Sequence, residues 1–584
     1  MNEVWNLDGL YLGFDDPAFE GDLQKLKDGI ADFASFVKNL PDMDPLTGLR
    51  EGISRQEVLR DLGSDLVEYA MLRQSADTVD PAIGSRVGQV MQVLSDTAAP
   101  EAAFQDWASK VPGLTELVEQ DELLKAYRFF FANLQRSSRY LLAGRGEEIM
   151  AKMSLSGGNA WSELQQYLTS TGPVSYRGET TNLSAIRNLA YDGDPAVRKE
   201  AYEAELACYD RIQDAVAYAL NSIKLETLND CALRGYAGPL DRTLQGSNME
   251  KATLDAMLGA MDEFMPKFRQ YLKVKGQCLG HENGLPWYDL FAPMGRMSST
   301  WTPESTRDYL LKHFSEFDRE LTDMVRTAFD EAWIDFYPRS GNAGGAFCAA
   351  VEKLHASRIL TNFDGQFTDV VTLAHELGHA FHNQCIDSHR PLNRDYSMPL
   401  AETASTFNEC VIMNAAIKAA TDPQEKLALI ENQLQDACQV IVDIYSRYRF
   451  ETMVFERREN EFLSAGELCR IMAQAQQETY GDGLDPELRH SYMWLCKSHY
   501  YGPTFYNFPY AFGALFAQGL YACYEREGAS FVPKYKKLLY TTPVASAEDT
   551  AKVAGIDLTD REFWRSALQA FADKIDIFCE LARQ

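Results

Sequence analysis

The sequence predicts a mainly α fold carrying one small β-sheet. Three observations lead there. Capping residues stand directly before prolines at Asp194-Pro195, Thr302-Pro303 and Asp422-Pro423. That is the order of an N-cap followed by the first helical position. Apolar residues recur at three- and four-residue steps over long stretches. One segment, between 330 and 370, breaks this spacing with glycines and a short β-branched run.

The chain has 584 residues, beyond the size at which one hydrophobic core keeps growing, so two or more lobes with a cleft are expected. Residues 1–180 read as an N-terminal helical region with loops near Pro41–Leu49, Ala98–Ala102 and Gly144–Glu147. Ser156-Gly157-Gly158 and then Tyr176-Arg177-Gly178-Glu179 suggest an irregular join, and residues 181–584 follow as the second region. From Asp422 through Glu451, Leu427, Ile430, Leu434, Cys438, Ile441, Tyr445 and Tyr448 predict one long amphipathic helix. Asp422 with Glu425 fits a capping box at its start.

Between 340 and 348 the run Ser-Gly-Asn-Ala-Gly-Gly-Ala-Phe-Cys lacks helical spacing. Arg358–Phe363 reads as a short strand closed by Asp364-Gly365, and Thr368 as the cap of the next helix. A sheet edge there offers unpaired backbone groups to an extended peptide.

Composition narrows the function. Hydrophobic residues make up 46% and charged residues 24%, as in ordinary globular proteins. A formal charge of −29 excludes nucleic acid and an anionic membrane surface as partners. It reads as a solvated acidic surface, or more sharply as a field favouring cationic substrates. The N-terminus has no basic region followed by an apolar run, and no stretch of 18 apolar residues occurs, so neither a secretory signal nor a membrane span is expected. Eleven cysteines without a CxxC pair point to reduced thiols and a cytoplasmic location, and argue against cysteine as a metal ligand.

The chemistry centres on Leu373–His382, which contains His375-Glu376-Leu377-Gly378-His379. Positions i and i+4 share a helix face, so two imidazoles can converge on one zinc ion, and Glu376 can reach a water on the same metal. A zinc peptidase is the expectation. A catalytic zinc takes three protein ligands and keeps one position open. A metzincin needs glycine at 382 and histidine at 385; His382 and Cys385 stand there. His382 lies near in sequence but offset around the helix, and His389 lies past the helix end. Glu402, at the start of a second helix after the Pro391–Pro399 loop, is the stronger third ligand, with Glu409, Ser405 and Thr406 as residues orienting the histidines. The oxyanion needs a further donor, a tyrosine or a histidine. The segment His499–Gly513 carries a histidine and four tyrosines around Gly502-Pro503, poor core material unless each hydroxyl finds a partner.

Together, His375–His382, Ala401–Ser405 and the His499…Tyr506…Tyr510 loop resemble the M3 family of zinc metallopeptidases, and within it the oligoendopeptidase F branch. Gly344–Cys348, the Ile359–Phe363 strand and Leu233-Arg234-Gly235-Tyr236 add to the likeness, which covers roughly residues 110–584. The resemblance implies two helical lobes enclosing a deep channel that admits short unstructured peptides. It implies one zinc ion on His375, His379 and Glu402, with Glu376 as general base. Tyr510 best matches the oxyanion donor, with His499 and Tyr506 touching substrate or sharing that role. Gly344, Gly345, Ala346 and Phe347 would bind the substrate backbone. The competing functions are a zinc carboxypeptidase, which needs a cation such as Arg390, Arg394 or Lys497 for the terminal carboxylate, and an inactive peptide-binding protein. Oligomeric state is left open by the sequence.

Overall fold

Local chemistry starts the helices where the sequence places them. In the computed structural model, which describes residues 3–142, 145–297 and 300–583, Asp194 accepts the Ala196 N–H and opens the helix Pro195–Arg234. Gly235, at φ 85°, closes that helix in the left-handed conformation. Thr302 forms a reciprocal cap with Ser305 at the head of Pro303–Phe317. Asp422 caps Pro423–Cys438 through the Gln424 N–H, not through the box expected with Glu425. The long helix expected from 422 to 451 is interrupted: Gln439–Asp443 winds as a π-helix before Ile444–Arg458 resumes α geometry. A π segment adds a residue to one turn and shifts the phase of the apolar stripe without breaking it.

The chain divides into two compact units, each assembled from separated stretches: residues 1–139, 299–412 and 523–555 in the first, and 140–298, 413–522 and 556–584 in the second. The units therefore do not follow the contiguous division 1–180 and 181–584. They form where distant segments pack together, which no local change of composition marks.

In the first unit, helices Pro17–Asn39 and Pro45–Ala76 pack with Ala98–Ser109 around Phe19, Leu26, Phe33, Leu49, Ile53 and Phe104. Gly52 permits this closeness, since a Cβ there would lie 2.0 Å from the Phe104 ring. Two expected loops are shorter than the sequence suggested. Pro45 begins a helix, and Ala98–Ala102 forms the first turn of one, because proline is tolerated where the N–H has no helical partner. Gly144, in the third expected loop, lies outside the described residues, as do Met1 and Asn2.

The sheet of this unit orders its strands β3-β5-β4, with β3 Ile334–Asp335, β4 Phe347–Val351 and β5 Ala356–Leu360. β3 and β5 run parallel; β4 pairs antiparallel with β5, Cys348 opposite Ile359. β4 is thus an edge strand. Phe347, Ala349 and Val351 pack on the helical core. The strand expected at 359–363 begins and ends earlier, but Thr361 and Phe363 still donate to the Asp335 and Phe336 carbonyls.

In the second unit, β1 Val174–Tyr176 and β2 Glu179–Thr181 form a hairpin where an irregular join was expected. Its two turn residues, Arg177 and Gly178, have φ of 50° and 84°, the signature of a type I′ turn. No helix among the described residues is long and apolar enough to cross a membrane.

Candidate metal centre

Helix α1, Phe367–Ile386, carries His375, Glu376 and His379. Gln366, not Thr368, is its N-cap, in a reciprocal box with Asp369. The Asp369 carboxylate also accepts the Asp364 and Gly365 N–H groups at 3.0 and 2.9 Å, placing negative charge at the positive end of the helix. Leu373, Ala374, Leu377, Ala380 and Phe381 are buried around the polar face.

Helix α2, Thr403–Ala419, follows the short helix Met398–Ala401, and Glu402 sits at their junction. The two helices meet at Gly378. A Cβ there would lie 2.5 Å from the Ala404 carbonyl oxygen and 2.5 Å from Ser405 Cα. The glycine lets backbone approach backbone, which brings Glu402 up to the histidines. Asn408 fastens the crossing by donating to the Ala374 carbonyl at 3.1 Å.

His375 Nε2 lies 3.2 Å from His379 Nε2, and the two stand 3.3 and 3.5 Å from Glu402 Oε2. Zinc bonds of 2.0–2.1 Å in tetrahedral arrangement put ligand atoms about 3.4 Å apart, so this donor set fits zinc. Among the described residues it is the single group of three such side chains converging within 4.8 Å. Glu409 Oε1 meets His375 Nδ1, which leaves Nε2 to face the centre. Ser405 Oγ donates to Glu402 Oε2 at 2.8 Å, so the serine orients the carboxylate, whereas the sequence reading gave it to the histidines.

Burial lowers the His375 pKa, but its bonds to Glu402 and Glu409 outweigh burial and push it up to about 10. Glu402 shows the converse: burial raises it, and the two histidines hold it well below the usual carboxylate range. Burial raises Glu376, with His375 and His379 pulling the other way. An acid and two bases held this closely share protons, which a divalent cation would replace.

The other nearby histidines are committed elsewhere. His382 stacks on Tyr396 with ring centres 4.1 Å apart, contacts Thr542 Oγ1 at 2.8 Å, and is depressed by burial to about 3. His389 Nε2 donates to the Tyr540 carbonyl at 2.6 Å. Arg390 is held by Glu57 at 2.6 and 2.7 Å, and Arg394 by Glu352 at 2.7 Å.

A cavity of about 420 Å³ opens over His375, His379 and Glu402. Glu376, Asn383, Tyr396 and the β4 residues Phe347, Cys348 and Ala350, with Ala346 before them, complete its wall. Gly344 and Gly345 do not line it; Asn362 holds their loop by donating to the Ala343 and Gly345 carbonyls. Of the lining residues, Asn383 and Tyr396 carry no mark in the sequence, whereas Cys348 closes the glycine-rich run. Asn383 was within reach, as the next i+4 step after His375 and His379.

The second unit holds the aromatic loop. His499 stacks on Tyr506 at 5.6 Å, Tyr506 meets Tyr510 edge-on at 5.4 Å, and the Tyr510 hydroxyl points at His499 Nε2 from 3.4 Å. Burial, Arg447 and Lys497 lower the His499 pKa to about 4, so the ring is neutral at pH 7. The loop is pinned from below: Glu451, paired with Lys224 at 2.6 Å, accepts from the Phe505 N–H and from Asn507 Nδ2. Tyr500 and Tyr501 differ from the other two tyrosines. Both are buried, and Tyr501 donates to the Trp494 carbonyl at 3.1 Å, so half of the tyrosine cluster is core.

Two imidazoles, a carboxylate, a second glutamate and a strand edge around one cavity are the parts needed for metal-assisted hydrolysis of an extended substrate. The chain is similar to oligopeptidase PepF of Bacillus subtilis, 23% identical over 99% of this chain and 87% of the relative. Its fold matches a solved chain from Chlamydophila abortus with a TM-score of 0.86 and 19% identity, covering 99% and 98% of the two chains. It also matches oligoendopeptidase-F from Enterococcus faecium with a TM-score of 0.72 and 17% identity, covering 97% and 98%. The family model described as Oligopeptidase F matches residues 99–171, and that described as Peptidase family M3 matches residues 188–570. The chain belongs to peptidase family M3.

Proposed function

We propose that the protein is a zinc-dependent endopeptidase that cleaves internal bonds of short unstructured peptides in the cytoplasm. The convergence of His375, His379 and Glu402 at tetrahedral-edge distances beside Glu376 carries this reading. Family membership and the eleven free thiols support it.

Zinc on these three ligands supplies Lewis acidity, which acidifies water and polarises a carbonyl. The chain's residues do the rest. His375, fixed by Glu409, and His379 present neutral nitrogens, and Glu402 is kept ionised and aimed by Ser405. Glu376 takes the proton of the attacking water and passes it to the leaving amine; burial raises its pKa toward the working range, which suits both transfers. The free side of β4 holds the substrate main chain extended, with Ala346 and Phe347 beside the metal ligands. Tyr510 donates to the oxyanion, and His499 and Tyr506 hold substrate or share that task.

An internally quenched peptide with an amidated C-terminus tests the reading. Internal cleavage that a chelator abolishes and zinc restores is expected. Cleavage confined to free C-termini would make the enzyme a carboxypeptidase, with Lys497 as the anchor, since Arg390 and Arg394 are engaged by Glu57 and Glu352.

A further inference from the structure

The second unit encloses a cavity of about 330 Å³ that the hydrolytic reading does not use. Arg187, Arg198, Glu205, Asp443 and Lys497 supply its charged lining, with His490 beside them. Most of this charge is already matched. Arg187 pairs with Glu205 at 3.2 Å, Arg198 with Asp289 at 2.7 Å, and Asp443 accepts from Arg447 at 2.5 and 2.9 Å. Lys497 is left over. Among the described residues its ammonium has no hydrogen bond and no ion-pair partner, and Asp443, which attracts it from farther away, is held by Arg447.

A second polar group is also unmatched. His490 is 1% exposed, its Nε2 lies 3.4 Å from Glu205, and its Nδ1 has no hydrogen-bond partner. The remaining wall is largely aromatic, with Tyr191, Tyr202, Trp287, Tyr288 and Phe291. A partly buried ammonium in an enclosed space requires a counter-ion, and an aromatic wall favours an apolar body attached to it. The net balance of one positive charge selects a monoanion.

We propose that this cavity binds a small monocarboxylate with an aromatic or compact apolar body, the carboxylate on Lys497 and the body against Trp287, Tyr288 and Phe291. The same chemistry is offered by a free aryl acid and by the C-terminal residue of a short peptide. Lys497 stands two residues before His499, so the occupant sits at the root of the aromatic loop.

Isothermal titration of the zinc-loaded full chain with phenylacetate tests the site, with phenylacetamide, acetate and N-acetylphenylalanine as companion probes. Saturable one-to-one binding of phenylacetate is expected, with none of the amide and acetate weaker by about tenfold or more. Loss of a charge-assisted contact in K497Q should weaken binding by about tenfold to a hundredfold. A190F fills the cavity without touching its charge and should abolish binding. Preference for N-acetylphenylalanine supports the site and assigns it to peptide C-termini; preference for phenylacetate supports it and assigns it to free acids. Equal binding of the amide, no saturable binding of either acid, or undiminished binding in either variant overturns the proposal. None of these readouts depends on peptidase activity.

Discussion

Gly378 and Ser405 meet backbone to backbone, and that contact sets Glu402 in place beside the two histidines: a Cβ on Gly378 would fall 2.5 Å from Ser405 Cα and 2.5 Å from the Ala404 carbonyl. Neither atom is the end of a flexible side chain, so the crossing itself must open to admit a methyl group. Glu402, one residue before Thr403, moves with it.

Gly378→Ala should therefore loosen the metal site as well as the fold. Overpacking of this kind costs about 1–3 kcal/mol. Zinc content after dialysis, by mass spectrometry, should fall well below that of the unaltered protein, and the thermal transition should drop. Unchanged zinc content would show that Glu402 reaches the metal without this close approach.

Glu376→Gln separates binding from chemistry. The amide keeps the side chain's size but takes no proton. Zinc content should stay at that of the unaltered protein while kcat falls by about 10²–10⁴-fold. A variant with near-normal turnover would remove Glu376 from its role as base.

Glu409→Gln tests the support of His375. Losing the carboxylate on Nδ1 should weaken zinc affinity by about 10–100-fold, read by competition with a chelator. Ser405→Ala should act in the same direction through Glu402. Full affinity in both would leave the ligands oriented by packing alone.

Zinc affinity should also depend on pH with a definite sign. In the metal-free protein His375 has a pKa of about 10, raised above the ordinary 6.5 because its bonds to Glu402 and Glu409 outweigh burial. Below that value the imidazole is protonated and zinc must displace the proton. Apparent affinity should therefore rise with pH, by about tenfold per unit between roughly pH 7 and 9. In the metal-free protein the matching contribution to stability is fully present below the unfolded value and is lost as pH rises through about 10. A flat affinity profile over that range would mean that His375 is already neutral.

Tyr510→Phe and Tyr506→Phe divide the roles of the aromatic loop. Removing the oxyanion donor should cost about 10²-fold in kcat, expected for Tyr510. The same loss in Tyr506→Phe alone would exchange the two assignments.

Much of the helical scaffold was legible because its signals are local. Asp194, Thr302 and Asp422 stand next to the helices they cap, and 3.6-residue periodicity needs no distant partner. The cap of α1 was misassigned because Gln366 is a rarer cap than Thr368, and its place depends on Asp369 folding back onto the preceding loop. The fates of His382 and His389 were not legible at all: their partners, Thr542 and Tyr540, lie about 150 residues away in sequence.

The sequence by itself determined the pairing of His375 with His379 and the position of Glu376 between them, because a helix fixes what lies four residues apart. It also marked the glycine-rich run that leads into β4. Only the tertiary structure decided that Gly378 is the crossing point, that Glu409 holds His375 and Ser405 holds Glu402, and that Tyr500 and Tyr501 are core while Tyr506 and Tyr510 gather around His499. Those outcomes depend on which segments pack against each other. Packing is set by shape and burial summed over many distant residues, and no local spacing records it.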